Sequence, residues 1–148
     1  MNKQEKNKQE IRNLFLGQPL AVLATHFKGQ PHTSLIGFAS TKNLKYMIFV
    51  TKRSTHKHRN LIKNPHVSLL IDNRTNQAKD FQSAEAVTVF GKSEEISKQK
   101  EKKLVDLYVK KHPYLRDFVR SPDSALIRVK VEKFSLVSQF QKVEEVIP

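Results

Sequence analysis

The chain has 148 residues and no cysteine, and its 27 Lys and Arg against 14 Asp and Glu give a formal net charge of +13. This length suits one domain over residues 1–148, and the absence of cysteine excludes disulfides and thiolate metal sites. The charge favours an anionic partner, which is a nucleic acid, an anionic membrane surface or a phosphorylated small molecule. The polar N-terminus and the lack of an apolar run of about 18 residues predict a cytoplasmic chain without a membrane span.

Segments of strand length dominate the chain, and turns rich in Gly, Pro and Asn join several of them. Gly91 lies inside the longest segment and predicts a bulge or kink there. The short connections favour a mostly antiparallel barrel with helices between the strands. The predicted strands are residues 20–26, 32–39, 44–51, 66–72, 84–96, 125–132 and 134–140.

Helices are predicted where apolar residues recur with helical spacing. Leu104, Leu107 and Tyr108 share one face of the clearest helix, which His112 and Pro113 end. A polar loop is predicted over residues 73–80. The predicted helices are residues 3–16, a two-turn helix that starts at Ser54 or Thr55 and stops before Pro65, residues 97–111, and a short turn over 114–120.

The segment 51–63, TKRSTHKHRNLIK, carries five cations and no acid, and it joins a strand end to a helix start. Free N–H groups of the first helical turn, the hydroxyls of Ser54 and Thr55, and the charge of Arg53 or Lys57 would together bind a phosphate. A solvated basic helix capped by Ser54 and a nucleic-acid surface are the other two interpretations. The sequence argues against nucleic acid, because no aromatic residue is interleaved with the cations and no recognition motif is present.

The six histidines predict no metal site. His56 and His58 diverge on a helix, and His26 and His32 flank the first hairpin turn without a carboxylate to complete a ligand set. The sequence contains no GxSxG, P-loop or GxGxxG motif, so hydrolase and nucleoside-triphosphatase functions have no support. The catalytic residues stay unknown at this stage.

Three stretches, AVLATHFKGQPHTSLIGF, YMIFVTKRSTHKHRNLIKNPHVSLLID and AVTVFGKSEEI, together resemble the pyridoxamine 5'-phosphate oxidase-like FMN-binding split barrels. The combination of a Gly-Gln-Pro hairpin, Thr51, a Ser/Thr-x-Lys helix start and Asn64-Pro65 is specific, although each piece alone is weak. The resemblance implies an antiparallel split β-barrel of six to seven strands with helices packed outside. It also implies FMN as the cofactor and a homodimer with the flavin at the subunit interface.

The resemblance locates the FMN site on two strands and one helix start. Backbone groups of residues 32–37 would face the pyrimidine edge of the flavin, and Arg53 is a hypothetical substitute for a cation that the family carries at the position of Ser34. The implied cofactor-binding residues are His32, Thr33, Ser34, Leu35, Ile36, Val50, Thr51, Arg53, Thr55, His56 and Lys57.

The sequence departs from pyridoxamine phosphate oxidases at residues expected to bind substrate or flavin. Ala39 replaces a substrate-binding Lys, Ala86 replaces a flavin-contacting Gln, and His112 replaces an Arg of the substrate-phosphate set, of which Tyr108 is matched. The C-terminal Trp and Arg-Leu signature is also absent. Pyridoxal phosphate synthesis is therefore not expected.

The predicted function is an FMN-dependent oxidoreductase with a small-molecule redox partner, in which the flavin carries the electron transfer. The alternative is a non-catalytic binder of FMN, haem or a deazaflavin. Haem would need an axial ligand, for which His26, His32 and His66 are the candidates.

Overall fold

The computed structural model covers residues 1–148 and contains eight strands and five α-helices. None of its helices is long and apolar enough to cross a membrane. The strands are β1 (Leu20–Phe27), β2 (Gln30–Gly37), β3 (Ala39–Ser40), β4 (Tyr46–Lys52), β5 (His66–Asp72), β6 (Glu85–Ile96), β7 (Ser124–Ser138) and β8 (Lys142–Val146). The helices are α1 (Lys3–Gly17), α2 (His56–Lys63), α3 (Asp80–Ser83), α4 (Lys102–Lys111) and α5 (Arg116–Arg120), with a 3-10 turn at Pro113–Leu115.

The strands form one antiparallel sheet with the order β2-β1-β5-β6-β7-β4-β3, and β8 pairs with β7 outside this path. The two end strands, β2 and β3, are consecutive in the chain and are separated only by Phe38. The sheet therefore curls until its ends meet, while β2 and β4 stay unpaired with each other. We call this gap between β2 and β4 the seam. The predicted antiparallel split barrel with helices outside is confirmed.

The pattern of buried residues explains how the strands pack. β1 alternates buried and half-exposed residues, as expected for a strand with one face in a core. β4 is buried on both faces, because Met47 and Phe49 pack inside the barrel while Ile48 and Val50 pack in a second cluster with Tyr108 and residues of α5. The helices that cover the outer face of β4 thus form a second apolar cluster outside the barrel.

The C-terminal strands differ from the prediction. Residues 125–132 and 134–140 belong largely to a single strand, β7, because Glu132 is an extra residue opposite the predicted irregularity at Gly91. Gly91 is needed there, since a Cβ atom would overlap the backbone oxygen of Lys130. The polar tail, which carried no predicted element, forms β8 against β7.

Two further boundaries shift for local reasons. The helix predicted from Ser97 begins at Lys102, because turns fill residues 98–100 and the Ser97 hydroxyl accepts a hydrogen bond from the Lys100 N–H at 3.2 Å. Leu44, predicted to start a strand, lies in a turn with a φ of 64° and is fully buried. Because the backbone of Leu44 is in the left-handed region of φ and ψ, the extended strand cannot include it, and β4 starts at Tyr46.

Candidate ligand site at the barrel seam

Helix α2 packs against β1, β2, β4 and β6, so it lies beside the seam. Its N-cap is Thr55, whose Oγ1 accepts a hydrogen bond from the His58 N–H at 3.3 Å and lies 3.0 Å from Thr51 Oγ1. The N–H groups of His56 and Lys57 have no backbone partner, as expected for a first helical turn. The cap is thus Thr55 and not Ser54, and the helix start offers two free donors.

The inward face of β2 turns polar atoms toward this helix start. His32 and Ser34 pair in register with the buried residues Thr25 and Leu23 of β1, and directly opposed residues share one face. The His32 ring stacks on His56 with centroids 4.6 Å apart and planes at 18°. His32 Nδ1 and Ser34 Oγ are buried without a hydrogen-bond partner, which is uncommon for buried polar atoms. These atoms are suited to a polar ligand in the seam.

Lys57 supplies the positive charge nearest the helix start. It forms none of the ion pairs of the chain, and its partial burial lowers the pKa of its ammonium group. Arg59, two residues later, instead donates from Nη1 to the Ser54 carbonyl oxygen at 3.2 Å. Lys57 is therefore the cation of the first turn that is free to meet an anion.

Arg53 points elsewhere. Its Nη1 donates to the Glu95 carboxylate on β6, and its backbone N–H donates to the Asp123 carbonyl oxygen at 2.9 Å. Glu95 also contacts Nε2 of the buried His58 at 3.1 Å. The hypothesis that Arg53 replaces the missing cation at position 34 therefore meets a competing carboxylate.

The structure gathers six of the predicted site residues and separates the others. Thr33 and Leu35 lie on the opposite, exposed face of β2, Ile36 and Val50 are buried in the two apolar clusters, and Arg53 is paired with Glu95. The residues that meet at the seam are His32, Ser34, Thr51, Thr55, His56 and Lys57.

Three neighbours of the site, Asn60, His58 and Glu95, were not predicted. Asn60 Nδ2 donates to Thr25 Oγ1 at 3.1 Å between buried groups, which ties α2 to β1. A polar residue in the interior of a short helix was the available signal for Asn60. No sequence signal links Glu95 to a helix 37 residues earlier in the chain.

The residues matched to a substrate-phosphate set are not available for that role. Tyr108 and His112 are each 1% exposed. The Tyr108 hydroxyl donates to the Gly37 carbonyl oxygen at 3.2 Å, and His112 Nε2 lies 2.8 Å from the Phe38 carbonyl oxygen. Burial lowers the pKa of His112 and so favours the neutral ring. We call Gly37 and Phe38, the last residue of β2 and the residue after it, the joint, which the side chains of Tyr108 and His112 hold through hydrogen bonds.

A separate pocket of about 500 Å³ lies where β1 and β5 end their pairing. His26 and His66 both line it, together with apolar groups that include Phe90 and Pro31. The two imidazoles and the partly apolar lining of this pocket suit a planar ligand, and the pocket is distinct from the seam.

Comparison with known proteins agrees with this fold. The sequence model described as pyridoxamine 5'-phosphate oxidase matches residues 8–138. The chain belongs to this family. Among curated proteins, none matches the sequence.

Solved structures similar to this family member include proteins described as binding different ligands. A haem-binding protein from Mycobacterium smegmatis gives a TM-score of 0.83 at 15% identity, over 95% of this chain and 57% of that chain. HutZ, the haem storage protein from Vibrio cholerae, gives 0.74 at 19% identity, over 88% and 92% of the two chains. An FAD-binding protein from Mesorhizobium loti gives 0.69 at 18% identity, over 86% and 91%. At such identities these likenesses establish the fold alone.

Proposed function

We propose that this chain is an FMN-binding flavoprotein that acts as an oxidoreductase on a small-molecule redox partner. The observation that carries the proposal is the pair of buried, unpartnered atoms, His32 Nδ1 and Ser34 Oγ, beside the free N–H groups at the start of α2. Helix N-termini bind phosphate groups through such N–H donors and the helix dipole. The residues present therefore fit a phosphorylated ligand.

In this proposal the phosphate of FMN lies at the start of α2. The N–H groups of His56 and Lys57 donate to it, the Lys57 ammonium neutralises part of its charge, and the hydroxyls of Thr51 and Thr55 lie within the same cluster. The stacked ring of His32 borders the phosphate on the β2 side. FMN when bound supplies the hydride or electron transfer, while the chain binds and orients it.

The ring system of the flavin would follow the free edge of β2. This strand pairs only with β1, so alternate residues keep backbone N–H and C=O groups unpaired on the seam side. Such groups match the donor and acceptor pattern of a pyrimidine edge. The backbone of residues 32–37 would therefore recognise the flavin, whatever the side chains at Thr33 and Leu35 are.

A homodimer would enclose the flavin at the subunit interface. Leu35, Val22 and Leu70 are directly opposed across β2, β1 and β5 and thus form an apolar row on the outer face of the sheet. Leu35 is 66% exposed, and exposed apolar rows of this kind favour a protein contact. A second copy of the chain is the occupant that we propose.

An absorbance spectrum, recorded before and after addition of FMN and desalting, tests the proposal. We expect oxidised-flavin bands at about one flavin per chain. Riboflavin, which lacks the phosphate, should bind at least about tenfold more weakly, because it loses charge-assisted hydrogen bonds at the α2 start. Equal affinities for FMN and riboflavin would remove the phosphate from the argument, and no binding of either flavin would overturn the proposed cofactor.

Haem is a second candidate ligand, supported by the pocket that His26 and His66 share. A neutral imidazole is a common axial ligand of haem iron. Addition of haem should then give a Soret band that shifts in the His66→Ala variant. A spectrum identical in wild type and in variants of both histidines would exclude this pocket as the haem site.

A further inference from the structure

Glu95 is an acidic residue on β6 that contacts Arg53, just before α2, and His58, within α2. One carboxylate oxygen accepts from Arg53 Nη1, and the other lies 3.1 Å from His58 Nε2. The Arg53 side chain is 45% exposed and that of Glu95 is 36% exposed, whereas His58 is buried. Glu95 thus joins the loop before α2 and the interior of α2 to β6.

The protonation state of the Glu95 carboxylate depends on its burial and on its contacts with Arg53 and His58. Partial burial raises the pKa of Glu95, but the hydrogen bonds from Arg53 and His58 outweigh that effect and bring the pKa below its ordinary value. Lys98 lies close enough to Arg53 for its own pKa to be lowered, mainly by burial and then by that charge. Glu95 therefore stays ionised at neutral pH and binds Nη1 of the Arg53 guanidinium, while Nη2 of the same group donates a long hydrogen bond to the Ser124 carbonyl oxygen at 3.5 Å.

The proposed phosphate site at the start of α2 therefore has few positively charged side chains that are free to contact a ligand. Position 34 carries a serine, Arg53 is neutralised by Glu95, and Lys57 is the free cation of the first turn. Arg53 lies two residues before the N-cap Thr55, so its long side chain could reach a ligand at the helix start if it were released.

We propose that Glu95 is a positioning residue that holds Arg53 away from the start of α2 and thereby weakens the binding of phosphorylated ligands. This inference rests on the proposed function, because it concerns the same site. Its consequence is an affinity for FMN that is lower than the same site would have with Arg53 released. A screened, partly exposed ion pair is weak enough for a doubly charged phosphate to compete with it.

The Glu95→Gln variant tests this inference, since Gln removes the charge and keeps an acceptor for His58. We expect FMN to bind about fivefold more tightly to this variant, as suits one partly exposed charge contact, while riboflavin affinity stays unchanged. The double variant Arg53→Gln/Glu95→Gln should return to wild-type affinity. Glu94→Gln is the matched control, because Glu94 is the adjacent residue and pairs with Arg128 instead. Flavin fluorescence quenching measures the dissociation constants of FMN and riboflavin for wild type and the three variants.

Weaker FMN binding to Glu95→Gln, or an equal change for FMN and riboflavin, would overturn the inference and leave Glu95 as a structural anchor of α2. If the wild type binds neither flavin, the proposed function fails separately, and inorganic phosphate becomes the probe. A larger phosphate-induced rise in Tm for Glu95→Gln than for wild type would then support the role of Glu95. An identical rise would overturn it.

Discussion

The seam and the joint lie next to each other along β2, yet they use their polar side chains in opposite ways. At the joint, Tyr108 and His112 are buried and each is hydrogen-bonded to a backbone carbonyl oxygen. At the seam, His32 and Ser34 present buried atoms without partners, and Lys57 has no carboxylate. One region has completed its hydrogen bonds within the chain, and the other has not.

This difference separates a structural role from a binding role. Tyr108 matches a substrate-phosphate residue of the family in sequence, but its hydroxyl serves the Gly37 carbonyl and is closed to solvent. The match therefore does not support pyridoxal phosphate synthesis. Ser34 departs from the family in sequence, yet its unpartnered Oγ faces the seam. Availability of a polar atom, and not residue identity alone, distinguishes the two regions.

The strongest way to test the joint is the His112→Ala variant. Loss of the ring leaves a cavity and an unpaired Phe38 carbonyl, and we expect the free energy of unfolding to fall by about 3 kcal/mol. The affinity ratio of FMN to riboflavin should stay at its wild-type value, because the joint does not contact phosphate. Urea unfolding and flavin titration measure the two quantities, with the exposed Lys110→Ala as control. A variant that kept its stability but lost flavin discrimination would move His112 into the site.

The seam is tested by Lys57→Ala. Removal of a charge-assisted bond to phosphate should weaken FMN binding by about 2 kcal/mol and leave riboflavin binding unchanged. Lys63→Ala changes the same net charge at the other end of α2 and should alter FMN affinity far less. Isothermal titration at fixed ionic strength gives both values. Equal losses in the two variants would indicate a general effect of charge and no phosphate contact at Lys57.

The sequence predicted those features that depend on neighbouring residues. Thr55 and Lys57 could be identified because a helix start is a local structure with known donors. Most strands were identified because alternation of apolar residues is local as well. The strand β8 was missed, since its sequence KVEEV is polar and becomes a strand only through pairing with β7.

The unpredicted parts of the site depend on contacts between distant segments. Asn60 meets Thr25 across 35 residues, and Glu95 meets His58 across 37. Both contacts follow from the sheet order, which brings β1 and β6 to the same helix. The pairing of Arg53 with Glu95 could not be expected from the cation-rich segment alone. Glu95 lies on β6, 42 residues further along the chain than Arg53, and meets the segment only in the folded structure.

The smallest expected effect concerns Lys111 at the joint. Its Nζ lies 3.7 Å from the Phe38 ring centroid and donates to the Phe15 carbonyl oxygen at 2.8 Å. Burial lowers the pKa of Lys111 to about 8 from 10.5. Between these two values the unfolded chain binds more protons than the folded chain at this residue, so the free energy of unfolding rises with pH.

We therefore expect wild type to gain stability relative to Lys111→Met between pH 8 and pH 9.5, by less than about 1.4 kcal/mol per pH unit. Below pH 8 both states carry the proton, and the two profiles should run parallel. Urea unfolding at a series of pH values measures the difference, and the exposed neighbour in Lys110→Met should leave the profile unchanged. Parallel profiles throughout would mean that the ammonium group keeps its proton in the folded chain, so that the joint is held by a cation over the Phe38 ring.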